Sequence, residues 1–251
     1  PVLRCYLWIG DYLIAEETRM CGRFVRHSSL ELIEKTFNVD RPAFEVTQSY
    51  NIAPTQAVLA VVRNGHAGLA QLHWGLVPFF AKDASGAARM INARSETLAT
   101  KPSFRNAFRK RRCLIVADGF YEWTGPKGQK QAWYISLPTD GPFGFAGLWE
   151  VWRADDRKTE IRSCTIITAD ASPGLRDIHN RMPVILRAGA YDAWLDPANQ
   201  NAERLRQILQ NDSHVEFERT AVSSRVNYVG NTGAGCIEPL QGDADENHAP
   251  A

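Results

Sequence analysis

The sequence predicts an α+β fold: a single domain with a largely antiparallel, curved or barrel-like sheet flanked by helices. Three observations carry this expectation. Short apolar or alternating runs recur from Ala57 to Val222 with turn residues between them, as in strands joined locally. Asn64-Gly65 and Asp118-Gly119 separate such runs, and both dipeptides accept the positive φ of tight turns. Few segments carry helical spacing, and neither a repeat nor a linker interrupts 21–240.

Taken in order, Ser28 and Glu31 have capping-box spacing at the head of a helix that ends at Phe37, with Leu30, Ile33 and Phe37 on one face. The irregular stretch Ser49–Thr55 precedes a hairpin of Ala57–Arg63 and Leu69–Leu76, turned at Asn64-Gly65. Val77-Pro78-Phe79-Phe80 leaves the strand for a polar loop to Ala88. Met90–Thr97 is expected to run into a helix with Ser95 as its cap, and Pro102 to break or restart it. Cys113–Ala117, Phe120–Trp123, Ala132–Leu137, Phe143–Trp152 and Ile161–Ala169 read as strands. Ser172-Pro173 opens a short helix ending near Ile178, and Val184–Leu186 is a strand. Helices Tyr191–Leu195 and Ala202–Gln210 and a last strand, Val215–Val222, precede a loop rich in Gly, Asn and Ser; the tail from Gln241 is expected to be disordered.

With 251 residues, 44% hydrophobic and 23% charged, the chain can bury a sizeable core and has the composition of a soluble globular protein. A net charge of +1 announces no nucleic-acid partner. Yet six basic residues and no acidic one lie between Lys101 and Arg112, enough for a local phosphate-binding face or for an ordinary solvated helix. The five cysteines are scattered without a C-x-x-C pair, which supports neither a zinc site nor a disulfide framework and fits a reducing, intracellular setting. Residues 1–19 are too short and too charged to span a bilayer and read as upstream sequence from a misplaced start or as a removable leader; no other segment reads as transmembrane.

The chemistry centres on Met20-Cys21-Gly22-Arg23-Phe24. If translation starts at Met20 and the methionine is removed, Cys21 presents an α-amine and a thiol on adjacent carbons. An aldehyde condenses with the amine, and the thiol then closes a thiazolidine intramolecularly. The bland alternative is a buried cysteine beside a turn glycine. Taken alone, Glu122 reads as a solvent-facing strand carboxylate and His179 as a helix C-terminal cap. Asn92 can equally be a turn residue, Trp74, Phe79 and Phe80 core, and Arg94 the partner of Glu96.

Six pieces in order carry a resemblance: Met20–Phe24, Asn51-Ile52-Ala53-Pro54-Thr55, Trp74-Gly75-Leu76-Val77-Pro78, Asn92–Thr97, Ala117–Trp123 and His179-Asn180-Arg181-Met182-Pro183. On these the chain, from Met20 to about Val222, resembles the SRAP family. The resemblance implies a sensor of abasic sites in single-stranded DNA that forms a thiazolidine cross-link through its N-terminal cysteine, with roles in DNA damage and the SOS response. By similarity Cys21 is the nucleophile, Asn92 holds its backbone and amine, Glu122 is general acid/base, and His179 assists at the sugar oxygen. Thr168 matches a polar site position. Arg23, Arg94 and Arg181 match phosphate contacts, and Phe79 and Phe80 lie near the bases. Asn180 departs from the acidic residue many members carry there, and Cys21 does not begin the chain. The implied protein is cytoplasmic, nucleoid-associated when on DNA and monomeric, needs no cofactor or metal, and extends over 20–240. Two rivals are a cysteine protease using Cys21 and His179, self-processing at Met20-Cys21, and a non-covalent single-stranded DNA-binding module.

Overall fold

The computed structural model describes residues 22–155, 158–211 and 216–240. The expectations for residues 1–19, for Cys21 and for the tail from Gln241 lie outside the described residues. In chain order the elements are β1 (Phe24–Arg26), α1 (Leu30–Phe37), β2 (Ser49–Ile52), β3 (Ala57–Asn64), β4 (His66–Trp74), β5 (Asn92–Arg94), α2 (Pro102–Lys110) and β6 (Arg112–Ala117). There follow β7 (Gly119–Thr124), β8 (Gln131–Ser136), β9 (Phe143–Arg153), β10 (Glu160–Asp170), β11 (Arg181–Pro183), β12 (Ile185–Leu186), α3 (Tyr191–Leu195), α4 (Ala202–Asn211) and β13 (Glu218–Val222).

The α+β expectation holds, and so does its curved sheet. Strands β4, β3, β6, β9 and β10 pair in sequence, and β10 returns to β4 in a short parallel contact, Ser163↔His73 and Cys164↔Trp74, which closes a five-stranded ring. Closure removes the unpaired edges that an open sheet of these strands would expose. A second, antiparallel sheet has the order β13-β8-β7-β1-β2. Alternation then sorts the side chains. Val58, Ala60, Cys113, Ile115, Phe145 and Ile166 of the ring pack with Phe24, Phe120 and Ile135 of the second sheet in one core. Their neighbours Leu59, Val61, Leu114, Val116 and Ile167 pack instead with residues of all four helices.

Several local expectations shift. The N-cap of α1 is Ser29, not Ser28, and accepts from Leu32 N–H. Ser28 is diverted because its N–H and hydroxyl both donate to buried Asp118. Asn92–Arg94 is a strand rather than a helix lead-in, because Ile91 O and the β5 residues are claimed by β10; only one 3₁₀ turn, Ser95–Thr97, follows. Pro102 restarts a helix at its first turn, where its missing N–H costs nothing. Residues 172–178 form successive turns rather than a helix. The expected strand Val184–Leu186 is two short strands, between which Val184 N–H crosses to Ile167 O. The last strand begins at Glu218, and Val215 lies outside the described residues. Gly75 leaves β4 at φ 139°, where a Cβ would stand 2.7 Å from Ala87 O, so the start of the 76–90 loop requires glycine.

The basic stretch divides. Lys101, Arg105, Arg109 and Lys110 are exposed, whereas Arg111 pairs with buried Glu150 at 2.6 Å. Arg112 is buried in β6 and its guanidinium donates to the carbonyls of Phe108, Arg109, Trp194 and Asp196. It thereby satisfies the ends of α2 and α3. Cys113, Cys164 and Cys236 are free and buried, and among the described residues no helix is long and apolar enough to cross a membrane.

Candidate active site

Several of the polar residues singled out in the sequence lie along the end of β10. Strand β10 carries Ile166 and Thr168 on the face of the shared core. Its register sets Asn92 beside Ile166 and Arg94 beside Thr168 on the β5 side. On the β11 side, Thr168 faces Pro183 and Asp170 faces Arg181. Paired residues point to the same face of a sheet, so Asn92, Arg94, Thr168 and Arg181 share one surface.

Glu122 approaches from the other sheet. It alternates with Tyr121 and therefore shares the inward face of Phe120, and it is 5% exposed. The solvent-facing alternative is excluded. Its cross-strand neighbour Trp133 packs on the same core that holds Ile91, Ile166, Ile178 and Met182. Strand β1 enters along β7, with Phe24 opposite Phe120 and Tyr121 N–H donating to Arg23 O at 3.0 Å. The chain segment just before Arg23 is thus delivered to the Glu122 end of the second sheet. Cys21 itself lies outside the described residues.

His179 closes the turn before β11. Its N–H donates to Leu175 O, and its Nδ1 accepts from Arg181 N–H at 3.1 Å. A ring nitrogen that accepts carries no proton, so the neutral imidazole holds its proton on Nε2. Burial lowers the pKa of His179, and the positive charges of Arg181 and Lys130 add to that. The His179 backbone does bond into the preceding turn, but no helix ends there for it to cap.

The cations are not equivalent. Arg181 donates to Glu96, Asp170 and Thr168 O, so its charge is already met by two carboxylates. Arg94 is exposed and, among the described residues, pairs with no carboxylate; Glu96, its expected partner, serves Arg181. Half-buried Arg23 donates to Asn51 Oδ1 and Val226 O, and lies 5.8 Å from the Trp123 ring. Buried Thr168 has a hydroxyl without a hydrogen-bond partner among the described residues. Phe79 and Phe80 are 52% and 54% exposed and meet edge to face at 5.3 Å, whereas Trp74 is core and donates to Ile91 O.

Sequence reasoning gave Asp170 no role, named Glu96 only as a partner for Arg94, and included Asn51 only as part of a family motif. Fully buried Asn51 donates to the carbonyls of Val226, Tyr228 and Asn231, pinning the 226–231 loop over the edge of β2. Among the described residues no group of three or more His, Cys, Asp or Glu side chains is placed to hold a metal.

Fold and site together define a closed-barrel α+β protein with a buried carboxylate on the strand beside the entry of its first strand, and a carboxamide and an oriented imidazole on the segments that flank β10. The family described as SOS response associated peptidase (SRAP) matches residues 20–229, and the chain belongs to it. It is 42% identical over 224 residues to the abasic site processing protein YoqW of Bacillus subtilis, covering 87% of this chain and 99% of that one. With the abasic site processing protein YedK of Escherichia coli it shares 31% over 228 residues, 88% of this chain and 100% of that one. A crystal structure of a protein from Bacteroides thetaiotaomicron superposes with a TM-score of 0.77 at 22% identity, over 88% of this chain and 100% of its own, and shares the fold.

Proposed function

We infer that the protein senses abasic sites in single-stranded DNA and captures them covalently through Cys21. The observation that carries this reading is Glu122: a carboxylate buried on the inward face of β7, the face whose core is shared with β10, at the end where β1 leads back toward Cys21. Cys21 is two residues before Arg23, so covalent geometry alone keeps their Cα atoms within ~7 Å. The names of the relatives supply the lesion.

The steps follow from ordinary carbonyl chemistry. Glu122 and the Nε2–H of His179 move protons as the deoxyribose hemiacetal opens to its aldehyde. The free amine of Cys21 adds to the aldehyde and water leaves, giving an imine. The thiol then adds across the C=N bond, its proton passing to nitrogen, to close the thiazolidine; the sum is one water lost. Asn92 holds the amine and backbone of Cys21. Arg94, with Arg23 and Arg181, lies along the phosphates, and Phe79 and Phe80 offer faces to bases, the usual combination for a single strand.

The test compares the chain beginning at Cys21 with one that retains residues 1–19, by intact mass after incubation with an abasic single-stranded oligonucleotide. The first should gain the oligonucleotide mass less one water; the second should bind without a stable adduct, because its Cys21 nitrogen is an amide. Equal adducts from both forms, with residues 1–19 still attached in the mass of the second, would rule the reading out. The family's description as a peptidase favours a second activity, cleavage at Met20-Cys21, which N-terminal sequencing of the longer form with Glu122→Gln and His179→Gln would register as uncleaved chain.

A further inference from the structure

A cavity of about 220 Å³ lies between β1, β2 and the β3–β4 hairpin, and none of the residues assigned to aldehyde chemistry lines it. Its polar wall is formed by Arg26, Thr47, Ser49, Gln56 and Gln71, and no carboxylate lines it. Arg26 is 6% exposed, and among the described residues its buried Nη1 has no hydrogen-bond partner. The carboxylate that acts on it through space, Asp118, is spent: its oxygens accept from His27 N–H, Ser28 N–H and the Ser28 hydroxyl. Gln56 gives its Oε1 to Ala53 N–H, which leaves its amide NH₂ as the donor end, and Gln71 Nε2 donates weakly to Glu45 O at 3.4 Å.

A buried cation without a contacting partner is costly, and the site offers donors while its neighbouring acid is occupied. The volume is below that of drug-sized ligand sites and accommodates a small polyatomic ion. We propose that this cavity binds a tetrahedral oxyanion, phosphate or a terminal phosphate monoester, with Arg26 as the charged anchor and Thr47, Ser49 and Gln56 as further donors. A guanidinium presents several N–H groups in the planar array that phosphate oxygens match.

Calorimetric titration of the full chain with inorganic phosphate, and separately with a single-stranded oligonucleotide bearing a 5′-phosphate or a 5′-hydroxyl, tests the assignment. Arg26→Met keeps the apolar stem and removes the charge; Thr47→Val and Gln56→Leu each remove one donor and leave Arg26 in place. Saturable phosphate binding that weakens at least ~10-fold in Arg26→Met, and several-fold in the other two, is expected. A preference for the 5′-phosphate that disappears in Arg26→Met, with free phosphate bound weakly, would identify a strand end as the source and support the site equally. Absence of Arg26-dependent binding to either probe overturns it. Should Arg26→Met fail to fold, unchanged phosphate affinity in both Thr47→Val and Gln56→Leu overturns it instead.

Discussion

At the scale of single residues, the three arginines taken from the family motifs separate once their partners are known. Arg94 has no carboxylate partner among the described residues, so Arg94→Ala should lower the slope of log affinity against log salt for single-stranded DNA by about one unit or less, and leave the melting temperature unchanged. Arg181→Ala removes the link among Glu96, Asp170 and the Thr168 carbonyl, so it should lower the melting temperature as well as affinity. Salt-titrated binding and thermal unfolding of the two variants make the comparison; identical behaviour would contradict the distinction. His179 gives a second prediction. Its folded pKa lies below its unfolded value, so protons prefer the unfolded chain; stability should fall as pH drops through about 6.5 and level off below the folded value. Urea unfolding from pH 7.5 to 5 should therefore be less pH-dependent in His179→Gln than in the parent. The identities of these residues were legible in the sequence because each sits in a short, dense motif. Their partners were not: Glu96 precedes Arg181 by 85 positions, and only the pairing of β5 and β11 with β10 brings them together.

At the scale of elements, the β3–β4 hairpin was readable because period-2 patterning and turn chemistry agree at Asn64-Gly65, where Gly65 has φ 84°, whereas Asp118-Gly119 joins strands of different sheets and neither residue takes a positive φ. The misreadings fell where a tertiary bond outbids local preference. Asp118 draws Ser28 away from the head of α1, and β10 turns Asn92–Arg94 into a strand. Arg112 is the clearest case: it ends a run of basic residues that looks like a surface, yet it is buried and capped by four carbonyls from two helices. Burial lowers its pKa to about 10, still charged at neutrality. Arg112→Met should cost ~2–4 kcal/mol, since it strands those carbonyls without filling their lone pairs. Denaturant unfolding measures this; a loss under ~0.5 kcal/mol would show that water replaces the guanidinium. DNA binding by this variant, compared with Lys110→Ala, separates the structural member of the run from its exposed ones.

At the scale of the whole molecule, β10 is the common neighbour: β9 and β11 lie along one edge and β4 and β5 along the other, while its alternate side chains feed two cores. The ring closes through β10, and the site residues on its flank lie beside a strand that is paired along both edges. Sequence reading reached a barrel-like sheet, but the closing contact, a two-residue parallel register between β4 and β10, leaves no periodic trace in the chain. That closure bears on how the molecule breathes. Amide hydrogens of Thr165–Thr168 should exchange with deuterium only through global unfolding, at rates that track denaturant stability, whereas the 79–89 loop should exchange by local opening. On the function proposed above, the lesion would then meet one rigid wall and one yielding rim, a distorted strand being accommodated by movement of the Phe79–Phe80 side while the reacting carbon meets a fixed frame.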